Sequence, residues 1–90
     1  LCSGLGMTDG EFFLNALNKF DDPNSHGREM PMHYGCKRLN IVNQSSPTGS
    51  QYLQAVGCAL ASKLKGLDEV TYVSGGEGSC AQGDFHEAMN

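Results

Sequence analysis

One carboxylate, Glu77, stands among the glycines Gly75, Gly76 and Gly78 and is followed by the hydroxyl of Ser79. Just before them, Val70, Thr71, Tyr72 and Val73 form a β-branched and aromatic run that predicts a short strand stopping at Ser74. Just after them, Ala81, Phe85, Ala88 and Met89 recur at helical spacing, so a helix is expected to begin within a few residues. A strand, a glycine turn and a helix start gather main-chain N–H groups at one point, which suits a phosphate. Glycine lets the chain turn tightly and leaves room for a ligand against the backbone. The acid adds a second capability, because magnesium takes one or two carboxylates together with phosphate oxygens. The same residues also describe a plain strand-to-helix turn with an exposed acid, since short glycine motifs recur by chance.

The elements that must position this turn lie upstream. Ile41-Val42 reads as the end of a short extended segment and runs into Asn43-Gln44-Ser45-Ser46-Pro47-Thr48-Gly49-Ser50-Gln51. That stretch is dense in side-chain oxygen, and Pro47 and Gly49 hold it out of regular structure. A helix follows, with Leu53, Val56, Leu60 and Leu64 on one face and small neighbours around them, which predicts close packing on a sheet or another helix. Lys63 and Lys65 suit its last turn, and Gly66 suits the position just past it. The order is extended segment, polar loop, helix, strand, glycine turn, helix. It predicts an α/β protein with a parallel sheet, whose ligands gather at the carboxyl ends of strands. Both loops, Ser45–Gln51 and Gly75–Ser79, precede helices, so a right-handed crossover would set them at one edge.

Nearer the N-terminus, Thr8-Asp9-Gly10-Glu11 is a capping box ahead of an apolar run. The expected helix spans about Asp9 to Lys19, with Phe13, Ala16, Leu17 and Phe20 as its buried stripe and Asp21-Asp22-Pro23-Asn24 as its stop. From Asn24 to Asn40 nothing is periodic, and the segment reads as a long ordered loop of functional or interface type. It carries His26, His33 and Cys36, but no second cluster completes a tetrahedral metal site. Arg28 reads foremost as a surface ion-pair former, and His86 as a helix-face histidine.

The balance of 10 acids against 6 bases, net −4, argues against nucleic acid as a partner. No apolar run approaches a bilayer span, so no membrane partner is expected. The four cysteines are widely spaced without a C-x-x-C pair, and Cys58 and Cys80 sit among small residues as buried thiols do, favouring a reducing, cytoplasmic setting. With no initiator Met and an uncapped helical pattern at Asn90, the 90 residues read as an internal piece of one domain, truncated at both ends.

Three blocks carry a family resemblance: GREMPMHYG (Gly27–Gly35), NQSSPTGSQYLQAVG (Asn43–Gly57) and YVSGGEGSCAQGDFHEAMN (Tyr72–Asn90). In order and spacing they resemble the alpha part of thiamine-diphosphate-dependent 2-oxo acid dehydrogenases of the pyruvate and branched-chain type, over roughly residues 8–90. The wording SSPTGSQ is similar to bacterial forms in which alpha and beta parts are fused. The resemblance implies a fragment of a parallel-sheet thiamine-diphosphate-binding fold, from the decarboxylating first component of such a complex. It makes Glu77 a magnesium ligand and sets Gly76, Gly78 and Ser79 near the diphosphate. By the same resemblance a potassium ion organises Ser45, Pro47, Ser50 and Gln51, with serine at 50 keeping the hydroxyl of the family's threonine. Ser46 would face cofactor and substrate. Thr48 stands where many relatives carry leucine, and its carbonyl would contact the cofactor. The implied partners are a beta part holding the general acid, a 2-oxo acid, and a lipoyl-bearing acyltransferase. No catalytic acid or base is assigned to this chain, and the piece alone is expected to be inactive. Two other classes fit parts of the pattern, a non-catalytic nucleotide- or phosphate-binding module and an interface domain.

Overall fold

The computed structural model describes residues 1–43 and 45–90 in two compact units, Leu1–Gln44 and Ser45–Asn90. Gln44, part of the polar loop, lies outside the described residues.

In the first unit the capping box forms. The Glu11 N–H donates to Thr8 Oγ1 (3.3 Å), the Thr8 N–H donates to Glu11 Oε2 (2.8 Å), and helix α1 runs Asp9–Ala16. Arg38 Nη2 also donates to Glu11, at 2.8 and 3.1 Å. The Thr8 main chain first, and Arg38 second, hold the Glu11 carboxyl below its usual range.

Helix α1 stops earlier than the sequence pattern predicts. Asn18 takes a left-handed conformation (φ 49°), its N–H donates to the Asn15 carbonyl (3.0 Å), and the Lys19 N–H donates to the Leu14 carbonyl (2.9 Å). This is a Schellman ending with asparagine in the place glycine usually takes. The predicted stripe fails with it. Phe13, Ala16, Leu17 and Phe20 are all exposed, and Phe20 is not on the helix at all. The face turned inward is polar instead, through Asn15.

The buried group that Asn15 serves is Asp22, which has no exposed surface. Its carboxylate accepts from the Asn24 N–H (3.0 Å), the Ser25 hydroxyl (2.5 Å) and, more weakly, the Asn15 amide (3.4 Å). Asn15 Oδ1 accepts in turn from the Met32 N–H (3.0 Å), so one carboxylate ties α1 to the loop. A buried charge persists only when hydrogen-bonded in this way. Nearby, Gly27 (φ 74°) admits no side chain, because a Cβ there would lie 2.7 Å from the Asn18 carbonyl oxygen. Cys36 and Ile41 exchange main-chain bonds around a 3-10 turn, Lys37–Leu39, so the expected extended segment is a single antiparallel bridge.

The second unit holds helix α2, Ser50–Leu64, a 3-10 turn, Glu77–Ala81, and helix α3, Gly83–Met89. Helix α2 ends as the sequence predicts. Gly66 is left-handed (φ 66°), its N–H donates to the Lys63 carbonyl (3.1 Å), and the Leu67 N–H donates to the Ser62 carbonyl (3.0 Å). Tyr52 is buried and meets Phe85 edge-on, ring centroids 5.1 Å apart, which joins α2 to α3. Beside this pair lies an open apolar groove of about 320 Å³, lined by Ala55, Val56, Ala59, Val73 and Ala88 among others.

Two expectations need correction. The run Val70–Val73 is not a strand, and no strand or parallel sheet exists among the described residues. A strand is defined by ladder hydrogen bonds to a neighbour, and none reaches this run; Val70 is 95% exposed. The stripe Leu53, Val56, Leu60 and Leu64 on α2 is exposed rather than packed. All four cysteines are free thiols. Among the described residues, no helix is long and apolar enough to cross a membrane.

Candidate functional site

The residues that the resemblance assigns to cofactor and metals all lie in the second unit. The polar loop closes on itself first. Ser50 Oγ hydrogen-bonds Ser45 Oγ and donates to the Pro47 carbonyl (2.8 Å), so three oxygens crowd one point at the start of α2. Gly49 then opens α2 in a left-handed conformation (φ 91°) without a side-chain cap. It is buried, and a Cβ there would lie 3.0 Å from Gln82 Cβ, so the loop backbone rests directly on the entry to α3. An L-residue in that conformation costs about 1–2 kcal/mol. Gly49→Ala is therefore expected to lower stability by at least that much, read as a lower urea midpoint of the complete protein.

The glycine turn meets the first turn of α2. Gln51 Nε2 lies 3.5 Å from the Ser74 carbonyl. The Tyr52 hydroxyl hydrogen-bonds Ser79 Oγ (2.5 Å), and Ser79 Oγ donates to the Gly76 carbonyl (2.6 Å). The Ser79 N–H donates to that same carbonyl (3.0 Å). Gly75 has to be glycine, because a Cβ there would overlap the Tyr52 ring and hydroxyl and Ser79 Oγ. The two loops are tied together indirectly, through Gln51 with Ser74, Tyr52 with Ser79 and Gly49 against Gln82, and the sheet edge expected to place them is absent among the described residues.

Glu77 opens the 3-10 turn and is exposed, and among the described residues no ion pair or hydrogen bond engages its carboxylate. The first N–H groups of such a turn have no acceptor within it. Gly76 and Gly78 flank the acid with open space where a Cβ would go. Ser46, Pro47 and Thr48 are exposed at the loop surface, whereas Ser79 is buried. The chemistry available is thus an unpaired carboxylate on a glycine turn, a knot of neutral oxygens at the start of α2, and the Tyr52–Ser79 hydroxyl pair. Such a set can hold a divalent cation with its phosphate and, separately, a monovalent cation.

Sequence reasoning passed over Tyr52 and Gly75 as a pair. The available signal was a single aromatic residue in the first turn of a helix rich in small side chains, with a glycine doublet downstream. His26, His33 and Cys36 do not assemble, and among the described residues no group of three or more His, Cys, Asp or Glu could hold a metal.

Residues 2–90 match the family described as dehydrogenase E1 component, and the chain belongs to that family. It is similar to 2-oxoisovalerate dehydrogenase subunit alpha of Bacillus subtilis (strain 168), at 47% identity over 85 residues, covering 94% of this chain and 26% of that protein. The mitochondrial 2-oxoisovalerate dehydrogenase subunit alpha of Dictyostelium discoideum is 50% identical over 64 residues, 71% of this chain and 14% of that protein. The human mitochondrial subunit is 45% identical over 64 residues, with the same coverage of 71% and 14%. The chain therefore spans about a quarter or less of the length of these relatives.

Proposed function

We propose that this chain is the diphosphate-binding portion of the alpha part of a thiamine-diphosphate-dependent 2-oxo acid dehydrogenase, acting on branched-chain 2-oxo acids. The observation that carries the reading is the unpaired Glu77 carboxylate on its glycine turn, packed through Tyr52 onto the helix that carries the serine-rich loop. The names of the relatives favour 2-oxoisovalerate over pyruvate.

On this reading Glu77 binds magnesium, and Gly76, Gly78 and Ser79 line the diphosphate. Ser45, Pro47, Ser50 and Gln51 hold potassium, whose site needs neutral oxygens of the kind that already crowd around Ser50 Oγ. Ser46 and Thr48 face the cofactor. When bound, thiamine diphosphate supplies the electron sink for decarboxylation. This chain binds and orients its diphosphate tail, while the beta part supplies the general acid and a lipoyl-bearing acyltransferase takes the product. In the assembled protein, Val70–Val73 contributes a strand to a parallel sheet, as its β-branched and aromatic composition favours. The setting is cytoplasmic.

The test uses the complete protein assembled with its beta part. Thiamine diphosphate should bind only with magnesium present, and kcat/KM should be higher on 2-oxoisovalerate than on pyruvate. Binding that ignores magnesium, or a thermal shift with adenine nucleotides and none with thiamine diphosphate, overturns the proposal.

A further inference from the structure

We infer that Tyr52 is a positioning residue for the diphosphate turn, acting through Ser79 on the Gly76 carbonyl. The inference rests on the function proposed above and adds to it a residue outside the motif itself.

The argument begins with proton count. A serine hydroxyl carries one hydrogen, and a carbonyl oxygen carries none. Ser79 Oγ lies 2.6 Å from the Gly76 carbonyl oxygen, so its hydrogen is spent there. The Tyr52 hydroxyl, 2.5 Å away, is then the donor to Ser79 Oγ. The chain of donation runs one way, from Tyr52 to Ser79 to Gly76. Tyr52 and Ser79 are both buried, so this polar chain competes little with water. Consecutive hydrogen bonds of this kind polarise one another.

The consequence falls on Glu77. The Gly76 carbonyl belongs to the peptide bond whose nitrogen is that of Glu77. Fixing that carbonyl toward Ser79, by the Ser79 N–H and Ser79 Oγ together, fixes the orientation of the whole peptide plane. In a trans peptide the Glu77 N–H lies anti to that carbonyl, so it points away from the Ser79 donors, and the exposed carboxylate departs from a peptide plane held on one side. Gly75 seals the arrangement, since its missing side chain is what lets the Tyr52 hydroxyl come so close. Cys80 Sγ, 4.0 Å from the Tyr52 oxygen, is a second and weaker hydrogen-bond partner.

Tyr52→Phe removes only the hydroxyl, because the ring keeps its edge-on contact with Phe85. In the assembled holoenzyme it should weaken magnesium-dependent thiamine diphosphate binding about five- to tenfold, the size of one net hydrogen bond. Ser79→Ala should do the same, and the double variant should lose little more than either, because both cut one chain. Binding is read by calorimetric titration, with Glu77→Gln measured alongside. If Glu77→Gln abolishes magnesium dependence while Tyr52→Phe and Ser79→Ala bind as the parent does, the inference fails and the function stands. Fully multiplicative losses in the double variant also overturn it, since they would mean two independent contacts. If Glu77→Gln changes nothing, the functional reading falls and takes this inference with it.

Discussion

Replacing Glu77 by glutamine is expected to weaken magnesium-dependent cofactor binding by at least about 100-fold in the assembled protein. Removing a group that merely supports a metal ligand costs about 10–100-fold, so removing the charge from the ligand itself costs more. Glutamine keeps one oxygen at nearly the same place and loses the negative charge, which separates charge from shape. The fold should not register the change. Glu77 is exposed and, among the described residues, has no partner to lose, so unfolding midpoints should stay within about 0.5 kcal/mol of the parent. Binding loss without stability loss is the signature of a ligand. A matched loss of both, measured by titration and by urea unfolding, would make Glu77 a structural residue and remove the proposed site.

The second large effect lies in the other unit. Asp22→Ala is expected to destabilise Leu1–Gln44 by about 3–5 kcal/mol, because it strands the Asn24 N–H, the Ser25 hydroxyl and the Asn15 amide without an acceptor. That is a large share of the 5–15 kcal/mol that typically separates a folded domain from its unfolded chain. Acid provides an independent check. Burial pushes the Asp22 carboxyl up, but the Ser25 hydroxyl, the Asn24 N–H, Asn15 and the Ser25 N–H together outweigh it and leave the group below its ordinary value. A carboxyl lowered on folding stabilises the native state above its unfolded pKa, about 3.9. That contribution fades as pH falls through the lower folded value. Unfolding followed by hydrogen exchange in this unit should steepen below about pH 4 in the parent and be flatter in Asp22→Asn. An Asp22→Asn variant with the parent's acid profile would contradict the role given to the carboxylate.

How much of this was legible beforehand depends on whether the signal was local. The capping box at Thr8 and Glu11, the body of α2 and the stop at Gly66 are set by neighbours within a turn of chain, and each formed as read. The place of each loop before a helix was also legible, although the sheet edge expected to bring them together is not among the described residues. The buried stripe on α1 was not, because Asn18 ends the helix before the pattern completes and the inward face serves a charge. Asparagine is a recognised left-handed residue, so the stop had a signal that the Pro23 rule overshadowed. The strand at Val70–Val73 was read from composition, but pairing is a property of two segments and composition reports only one. Tyr52 escaped because a tyrosine at a helix start looks like packing until its hydroxyl is followed to Ser79.

The overlap that forbids a side chain at Gly75 has a consequence for descent. Positions 52, 75 and 79 behave as one lock, so drift at any of them changes what the others can accept. A lineage that first exchanges the tyrosine for a smaller aliphatic residue leaves the serine without its donor, and position 75 can become alanine once Ser79 Oγ, 2.8 Å from the new Cβ, also turns aside. Taken in the reverse order, alanine at 75 meets an occupied space and is purged. Sister sequences should therefore show small residues at 52 accompanying non-glycine at 75, with the intermediate that retains both bulks missing.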